Sequence, residues 1–85
     1  MHELRYRKAA LKALMKLPAD ARQRIQEALR QLADDTETDK LDIKALQGRD
    51  GFRLRVGKWR VICHKDDNAM IILVVDAGSR GDIYK

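Results

Sequence analysis

The chain has 85 residues, enough for one small domain with a modest hydrophobic core and too few for a second domain or a large enclosed pocket. Eighteen Lys and Arg against thirteen Asp and Glu give a net charge of +5, which favours an anionic partner such as nucleic acid or an acidic protein. We expect residues 1–85 to form a single domain.

The lone cysteine, Cys63, cannot form an internal disulfide, and we expect it to be a small buried residue. No apolar run is long enough to predict a membrane-spanning helix, and the N-terminus "MHELRYRKAA" lacks the apolar core of a signal peptide. We therefore expect a cytoplasmic protein without membrane contact, and the sequence supports neither a metal site nor a cofactor.

The N-terminal half predicts one strand and two helices. Leu4 and Tyr6 alternate with charged residues, which is typical of a short first strand. A first helix is predicted from Lys8 to Leu17, where three apolar side chains recur at helical spacing: Leu11, Leu14 and Met15. Another face of this helix carries a lysine ridge with a spacing of four residues: Lys8, Lys12 and Lys16.

Pro18 predicts a break, because proline cannot continue a helix but is well tolerated in the first turn of the next one. The second helix should run to about Leu32 and pack as a hairpin with the first. Its predicted buried stripe is Ala21, Ile25, Ala28, Leu29 and Leu32.

The polar segment "ADDTETDKLD" predicts a surface loop, after which the hydrophobic period changes to two in "FRLRV", "WRVICH" and "MIILVV". The order is then β-α-α-β-β-β. It predicts an α+β fold in which a helical hairpin covers one face of a small, mostly antiparallel sheet.

Gly57 and Lys58 fit a two-residue turn of type II′ and so predict the register of a hairpin in which Val56 pairs with Trp59. In that register one face is apolar, and its residues are Phe52, Leu54, Val56, Trp59, Val61 and Cys63. The opposite face carries Arg53, Arg55, Arg60, Ile62 and His64.

The three arginines of this hairpin have two interpretations. They are either solvated or paired with acidic side chains from elsewhere, or they form a cradle that binds phosphate through fixed guanidinium donors. Direct opposition of Arg55 and Arg60 is unfavourable for stability, by a few tenths to about 1 kcal/mol. Stability alone therefore does not explain this pair, and we favour the cradle.

Three stretches, "KLPADARQRIQEAL", "KALQGRDGFRLRVGKWRVICH" and "VVDAGSRGDIY", together resemble the RelE/ParE superfamily of toxins from bacterial type II toxin-antitoxin systems. The resemblance spans nearly the whole chain. RelE-like members are metal-independent endoribonucleases that cleave mRNA in the ribosomal A site. The resemblance therefore implies a cognate antitoxin, the ribosome and mRNA as partners.

The resemblance also implies site residues. Arg55 and Arg60 would stabilise the charge of the reacting phosphate, Arg80 would assist the leaving group, and Tyr84 would stack on or orient a base. RelE itself has lysines where this chain has Arg53 and Arg55, and arginine is a poor general base. His64 on the arginine face is the imidazole that could transfer the proton.

Two other functions remain open. A ParE-like toxin would inhibit DNA gyrase without cutting nucleic acid, and a non-catalytic module would bind RNA through the same arginines. RNA contacts outside the reacting centre are expected at Arg53, Lys58 and the lysine ridge, where they would add salt-dependent affinity for the phosphate backbone.

Overall fold

The computed structural model describes residues 2–35, 38–48 and 50–79, and within them two helices pack on one five-stranded sheet. In chain order the elements are β1 (Glu3–Tyr6), α1 (Lys8–Met15), α2 (Ala19–Asp34), a short 3₁₀ turn (Thr38–Lys40), β2 (Asp42–Ala45), β3 (Phe52–Val56), β4 (Trp59–Asp66) and β5 (Ile71–Ser79).

The strand order across the sheet is β1-β5-β4-β3-β2, with β1 parallel to β5 and the other pairs antiparallel. The predicted α+β fold with a mostly antiparallel sheet is thereby confirmed. The structure adds β2, an edge strand that begins at Asp42, the last residue of the predicted loop. Its alternation of polar and apolar residues covers only four positions, the shortest run that predicts a strand, and all four are exposed.

The break at Pro18 is confirmed, although α1 ends at Met15, two residues before the predicted end. A residue that precedes proline is disfavoured in the helical conformation, and Leu17 therefore lies in the turn between the helices. Helix α2 extends to Asp34 and is closed by Asp35, whose φ of 56° is left-handed and whose N–H bonds back to the last helical turn.

The hydrophobic core lies between the two helices and one face of the sheet. Every residue of the predicted α2 stripe is buried in it or beside it. On α1 the buried residues are Ala10 and Leu14. Leu11 and Met15 are 48% and 71% exposed and adjoin the lysine ridge. Neither helix of the described chain is long and apolar enough to cross a bilayer.

The predicted hairpin register is confirmed at every pair, from Val56 opposite Trp59 to Phe52 opposite Cys63. Gly57 has a φ of +62°, as the first central residue of a type II′ turn requires. Leu54, Val61 and Cys63 are fully buried against the helices, and the remaining residues of the apolar face pack around them. The arginines consequently lie on the opposite face.

Two glycines before β3 provide a matched test of this arrangement. Gly51 has a φ of +111°, and a Cβ there would lie 2.7 Å from the backbone oxygen of Cys63. Gly48 has a φ of +76°, and no described atom lies within 4 Å of its Cβ position. We expect Gly48→Ala to cost about 1 kcal/mol of backbone strain and Gly51→Ala roughly 3 kcal/mol.

Urea denaturation of both variants measures these costs as changes in the free energy of unfolding. Equal costs at the two positions would contradict the close approach of Gly51 to β4.

Candidate functional site

The sheet face that points away from the helices carries the candidate site, and we call its central part the arginine face. Its members come from three adjacent strands, and strand register places their side chains on the same side of the sheet. They are Arg53 and Arg55 from β3, Arg60, Ile62 and His64 from β4, and Asp76 from β5.

Arg55 and Arg60 form a cationic pair, since they lie directly opposite each other on β3 and β4. Side chains at such positions have Cβ atoms about 5 Å apart. Arg55 is exposed, and its Nε donates to the carbonyl oxygen of Gly57 at 3.3 Å. Arg60 is half-buried, and the residue opposite it on the other side, Gly78, has no side chain. An anion between Arg55 and Arg60 would relieve their repulsion.

Arg53 is held more tightly than the other arginines. Its side chain is only 16% exposed, and its Nη2 donates to Oδ1 of Asp42 at 3.1 Å. The Nε atom of Arg53 is buried and has no hydrogen-bond partner among the described residues. Ile62, opposite Arg53, is 4% exposed although it lies outside the helix-facing core, so it forms an apolar floor on the arginine face.

The two histidines lie in different places. His64 is exposed on the arginine face, as predicted, opposite Leu73 of β5. His2 instead lies near the far end of β4, where its Nε2 donates to Oδ1 of Asp67 at 3.0 Å. This hydrogen bond is the main cause that lowers the pKa of Asp67 below its ordinary value. His2 therefore anchors the N-terminus and is remote from the arginines.

Asp76 is a member of the arginine face that sequence reasoning missed. Strict alternation along β5 places Asp76 on the same side as Ile72 and Val74, which are fully buried. The structure has a register shift instead: Ile62 pairs with Asp76, but Cys63 pairs with Val74. The skipped residue, Val75, forms a β-bulge that turns Asp76 to the arginine face. The sequence carries no clear signal for this bulge.

The other predicted RNA contacts lie away from this centre. The lysine ridge is exposed on α1, in the helix layer on the opposite side of the sheet. Lys58 is exposed at the hairpin turn, with its Nζ 5.0 Å from the centre of the Trp59 ring. Trp59 packs against the core, as predicted. The guanidinium of Arg24 on α2 lies over Gly57 and adds a further cation at this turn.

Arg80 and Tyr84, the two predicted site residues of the C-terminal segment, lie outside the described residues. Across residues 2–35, 38–48 and 50–79, no group of three or more His, Cys, Asp or Glu side chains is arranged to hold a metal ion. The chemical groups that the described site offers are therefore guanidinium cations, the imidazole of His64, the carboxylate of Asp76 and the carboxylate of Asp42, which pairs with Arg53.

Known proteins now identify the family. The family model of the ParE toxin of the type II toxin-antitoxin system parDE matches residues 4–84. The chain therefore belongs to this family, and the resemblance to RelE/ParE toxins is confirmed. It is a toxin of a type II toxin-antitoxin system. Among proteins with curated functions, none matches the sequence significantly.

Solved structures show the same fold. The RelE-RelB complex of Pyrococcus horikoshii contains a chain that is 27% identical, with a TM-score of 0.77 and coverage of 95% of this chain and 97% of that one. The RelB-RelE complex of Methanococcus jannaschii gives 26% identity, a TM-score of 0.76 and coverage of 94% of each chain. The isolated RelE toxin of E. coli shares the fold at 19% identity and a TM-score of 0.77, covering 99% of this chain and 92% of that one.

Cys63 lies on the helix side of the sheet, and the structure predicts that it is chemically inert. Burial raises the pKa of its thiol from 9.0 to about 12. The thiolate is the reactive form, so alkylation of the native protein near neutral pH should be about 1,000-fold slower than that of the urea-unfolded chain.

The same pKa difference predicts that the free energy of unfolding falls as pH rises from about 9 towards 12, because only the unfolded thiol loses its proton there. In Cys63→Ala this fall in the free energy of unfolding between about pH 9 and 12 should be absent.

The alkylation rate at Cys63 is measured by iodoacetamide labelling followed by mass spectrometry, and the signal is unambiguous because the chain has one cysteine. Rapid labelling of the native protein would show that Cys63 is accessible.

Proposed function

We propose that this toxin is a ribosome-dependent endoribonuclease that cleaves mRNA in the ribosomal A site and thereby stops translation. The observation that supports it most is the direct opposition of Arg55 and Arg60 on the sheet face that points away from the helix layer. The family assignment and the 26–27% identical RelE chains give this arrangement its biological setting. Such a protein would act in the cytoplasm.

RNA can be cut by its own 2′-hydroxyl. The hydroxyl loses a proton, the 2′-oxygen bonds to the adjacent phosphorus, and the bond from phosphorus to the 5′-oxygen breaks, leaving a 2′,3′-cyclic phosphate and a 5′-hydroxyl. The phosphorane transition state carries an additional negative charge. Guanidinium groups of Arg55 and Arg60 would bind its non-bridging oxygens, a task for which two planar donor forks are well suited.

The roles of Arg80 and Tyr84 are assigned by resemblance, and those of the other residues by their position and charge. Arg80 would assist departure of the 5′-oxygen, and Tyr84 would stack on or orient a base of the A-site codon. His64 is exposed at the same face and is the imidazole candidate for proton transfer. Arg53, Lys58 and the lysine ridge would contact RNA backbone outside the reacting phosphate. The ridge lies on the opposite side of the sheet, so it would reach a different part of the ribosomal complex.

We also propose a cognate antitoxin as the protein partner. The two relatives at 26–27% identity were solved as complexes with RelB antitoxins. A chain with a net charge of +5 would complement an acidic or amphipathic antitoxin segment. Cleavage should accordingly be abolished when the antitoxin is added in equimolar amount.

Gyrase inhibition is a second candidate function, and it is favoured by one observation: the matching family model is that of the ParE toxin. In this case the protein would inhibit DNA supercoiling by gyrase and leave mRNA intact. Arg55 and Arg60 would then serve binding alone.

Programmed ribosomes and a defined mRNA distinguish these functions. Purified, antitoxin-free protein should cut the message within the A-site codon, and only when ribosomes are present. Arg60→Ala should slow single-turnover cleavage by about 10² to 10³-fold, because one transition-state donor is lost. Mapping of mRNA 5′ ends and a gyrase supercoiling assay should be run on the same preparations.

Arg30→Ala is the matched control, since Arg30 is an exposed arginine on α2 whose ion-pair partner is Glu27. It should cleave like the unmutated protein. An intact message together with inhibited gyrase would replace the ribonuclease proposal with the second function.

A further inference from the structure

We propose that Asp76 is the general base of the cleavage reaction and accepts the proton of the attacking 2′-hydroxyl. The inference rests on the proposed ribonuclease function, and it assigns to Asp76 rather than to His64 the proton that the arginines themselves cannot accept. Guanidinium groups remain protonated at all relevant pH values, so Arg55 and Arg60 can stabilise charge but cannot remove a proton.

The β-bulge is the first observation that supports this role. Without the shift at Val75, the carboxylate of Asp76 would point into the core beside Val74, where an unpaired charge is strongly unfavourable. The shift places it on the arginine face instead. Bulges of this kind occur preferentially next to active sites, where they re-aim a side chain.

The orientation of the carboxylate is the second observation. Oδ1 of Asp76 accepts a hydrogen bond from the backbone N–H of Ala77 at 2.8 Å, which restrains the side chain. Within the described part of the chain, Oδ2 has no hydrogen-bond partner. One oxygen is therefore anchored by the backbone, while the other is available to accept a proton.

The position of Asp76 relative to the cations is the third observation. Asp76 lies opposite Ile62, and Arg60 is two residues from Ile62 on the same face, so Asp76 and Arg60 are diagonal neighbours about 7–8 Å apart at Cα. The 2′-hydroxyl adjacent to a phosphate that Arg60 binds would then lie within a few ångströms of Asp76. Gly78 opposite Arg60 contributes no side chain to this space.

The charged groups around Asp76 come from three other strands. Arg60 and His64 lie on β4, Arg53 and Arg55 on β3, and Arg5 lies on β1 opposite Leu73. Arg53 and Arg5 are partly neutralised by Asp42 and Glu3. Asp76 thus shares its side of the sheet mainly with cations, which can bind the phosphate whose neighbouring 2′-hydroxyl it would deprotonate.

The cleavage step moves one proton, forms one bond and breaks one bond. The proton of the 2′-hydroxyl moves to Oδ2 of Asp76, the 2′-oxygen bonds to phosphorus, and the 5′-oxygen departs and is protonated from solvent or by a group assisted by Arg80. Water then removes the proton from Asp76 and restores the carboxylate. No electron transfer or additional reactant is needed.

A purely structural role is the alternative, in which Asp76 only accepts the hydrogen bond from the backbone N–H of Ala77. Asp76→Asn separates the two roles, because an amide oxygen keeps the acceptor for Ala77 but cannot act as a base. Asp66→Asn is the matched control: Asp66 is at the far end of β4 on the same side of the sheet, and its Oδ1 also accepts a backbone N–H, that of Ala69 at 3.1 Å.

Single-turnover cleavage on programmed ribosomes is measured as a function of pH. The unmutated protein should lose activity about tenfold per pH unit in the acid range, because a protonated carboxylate cannot accept the proton. Asp76→Asn should be slowed by about 10² to 10⁴-fold and should lose this acid limb, while unfolding like the unmutated protein. His64→Ala should keep the acid limb of the pH profile, and Asp66→Asn should cleave at the unmutated rate at every pH.

A substrate with a 5′-sulfur leaving group gives a second readout, since a thiolate departs without protonation. This substrate should restore the cleavage rate of variants that fail to protonate the leaving group, but Asp76→Asn should still cleave it slowly.

Several results would overturn the proposal. Cleavage by Asp76→Asn at the unmutated rate, or its rescue by the 5′-sulfur substrate, would exclude Asp76 as the base while leaving the ribonuclease function in place. If Asp76→Asn does not fold, an unmutated rate that is flat in acid would exclude the role without any variant. A message left intact by the unmutated protein would overturn both proposals together.

Discussion

The packing of the β3–β4 hairpin against the two helices is the constraint on which the site depends. Leu54, Val61 and Cys63 are fully buried in that interface, and successive strand residues point to opposite faces. Once these three face the core, Arg55 and Arg60 must face away from it and lie opposite each other. Fully burying one Leu or Val side chain contributes roughly 1.5–3 kcal/mol, which exceeds the repulsion of about 1 kcal/mol between the two guanidinium groups.

This constraint also explains why the site is built on strands. Side chains on a paired sheet have little freedom to move apart, so the cations stay together without a ligand. Arg53 lies in the same crowded group of cations. Its side chain is nearly covered, and its charge is compensated by Asp42 of the edge strand. The bulge in β5 brings one carboxylate to the same face, so that the fold can offer both charge stabilisation and a proton acceptor.

The sequence predicted what alternation and turn chemistry determine, and missed what depends on their interruption. Gly57 and Lys58 specified the hairpin register, and Pro18 specified the helix break. Edge strand β2 was missed because its alternation of polar and apolar residues spans only four positions at the end of a polar loop, and Asp76 was missed because a single unpaired residue reverses the alternation. Leu11 and Met15 share the helical period of Leu14, but Ala10 occupies the buried side with it. The assignment of Arg80 and Tyr84 to the site rests on the resemblance to RelE/ParE toxins.

The most direct test of the account is a structure of this protein on a programmed ribosome whose A-site mRNA carries a 2′-O-methyl group at the cleavage position, which blocks attack. The account predicts that the reacting phosphate lies within hydrogen-bond distance of the guanidinium groups of Arg55 and Arg60, with the 2′-oxygen beside Oδ2 of Asp76. A phosphate bound on the helix layer, or mRNA that does not contact the arginine face, would contradict it.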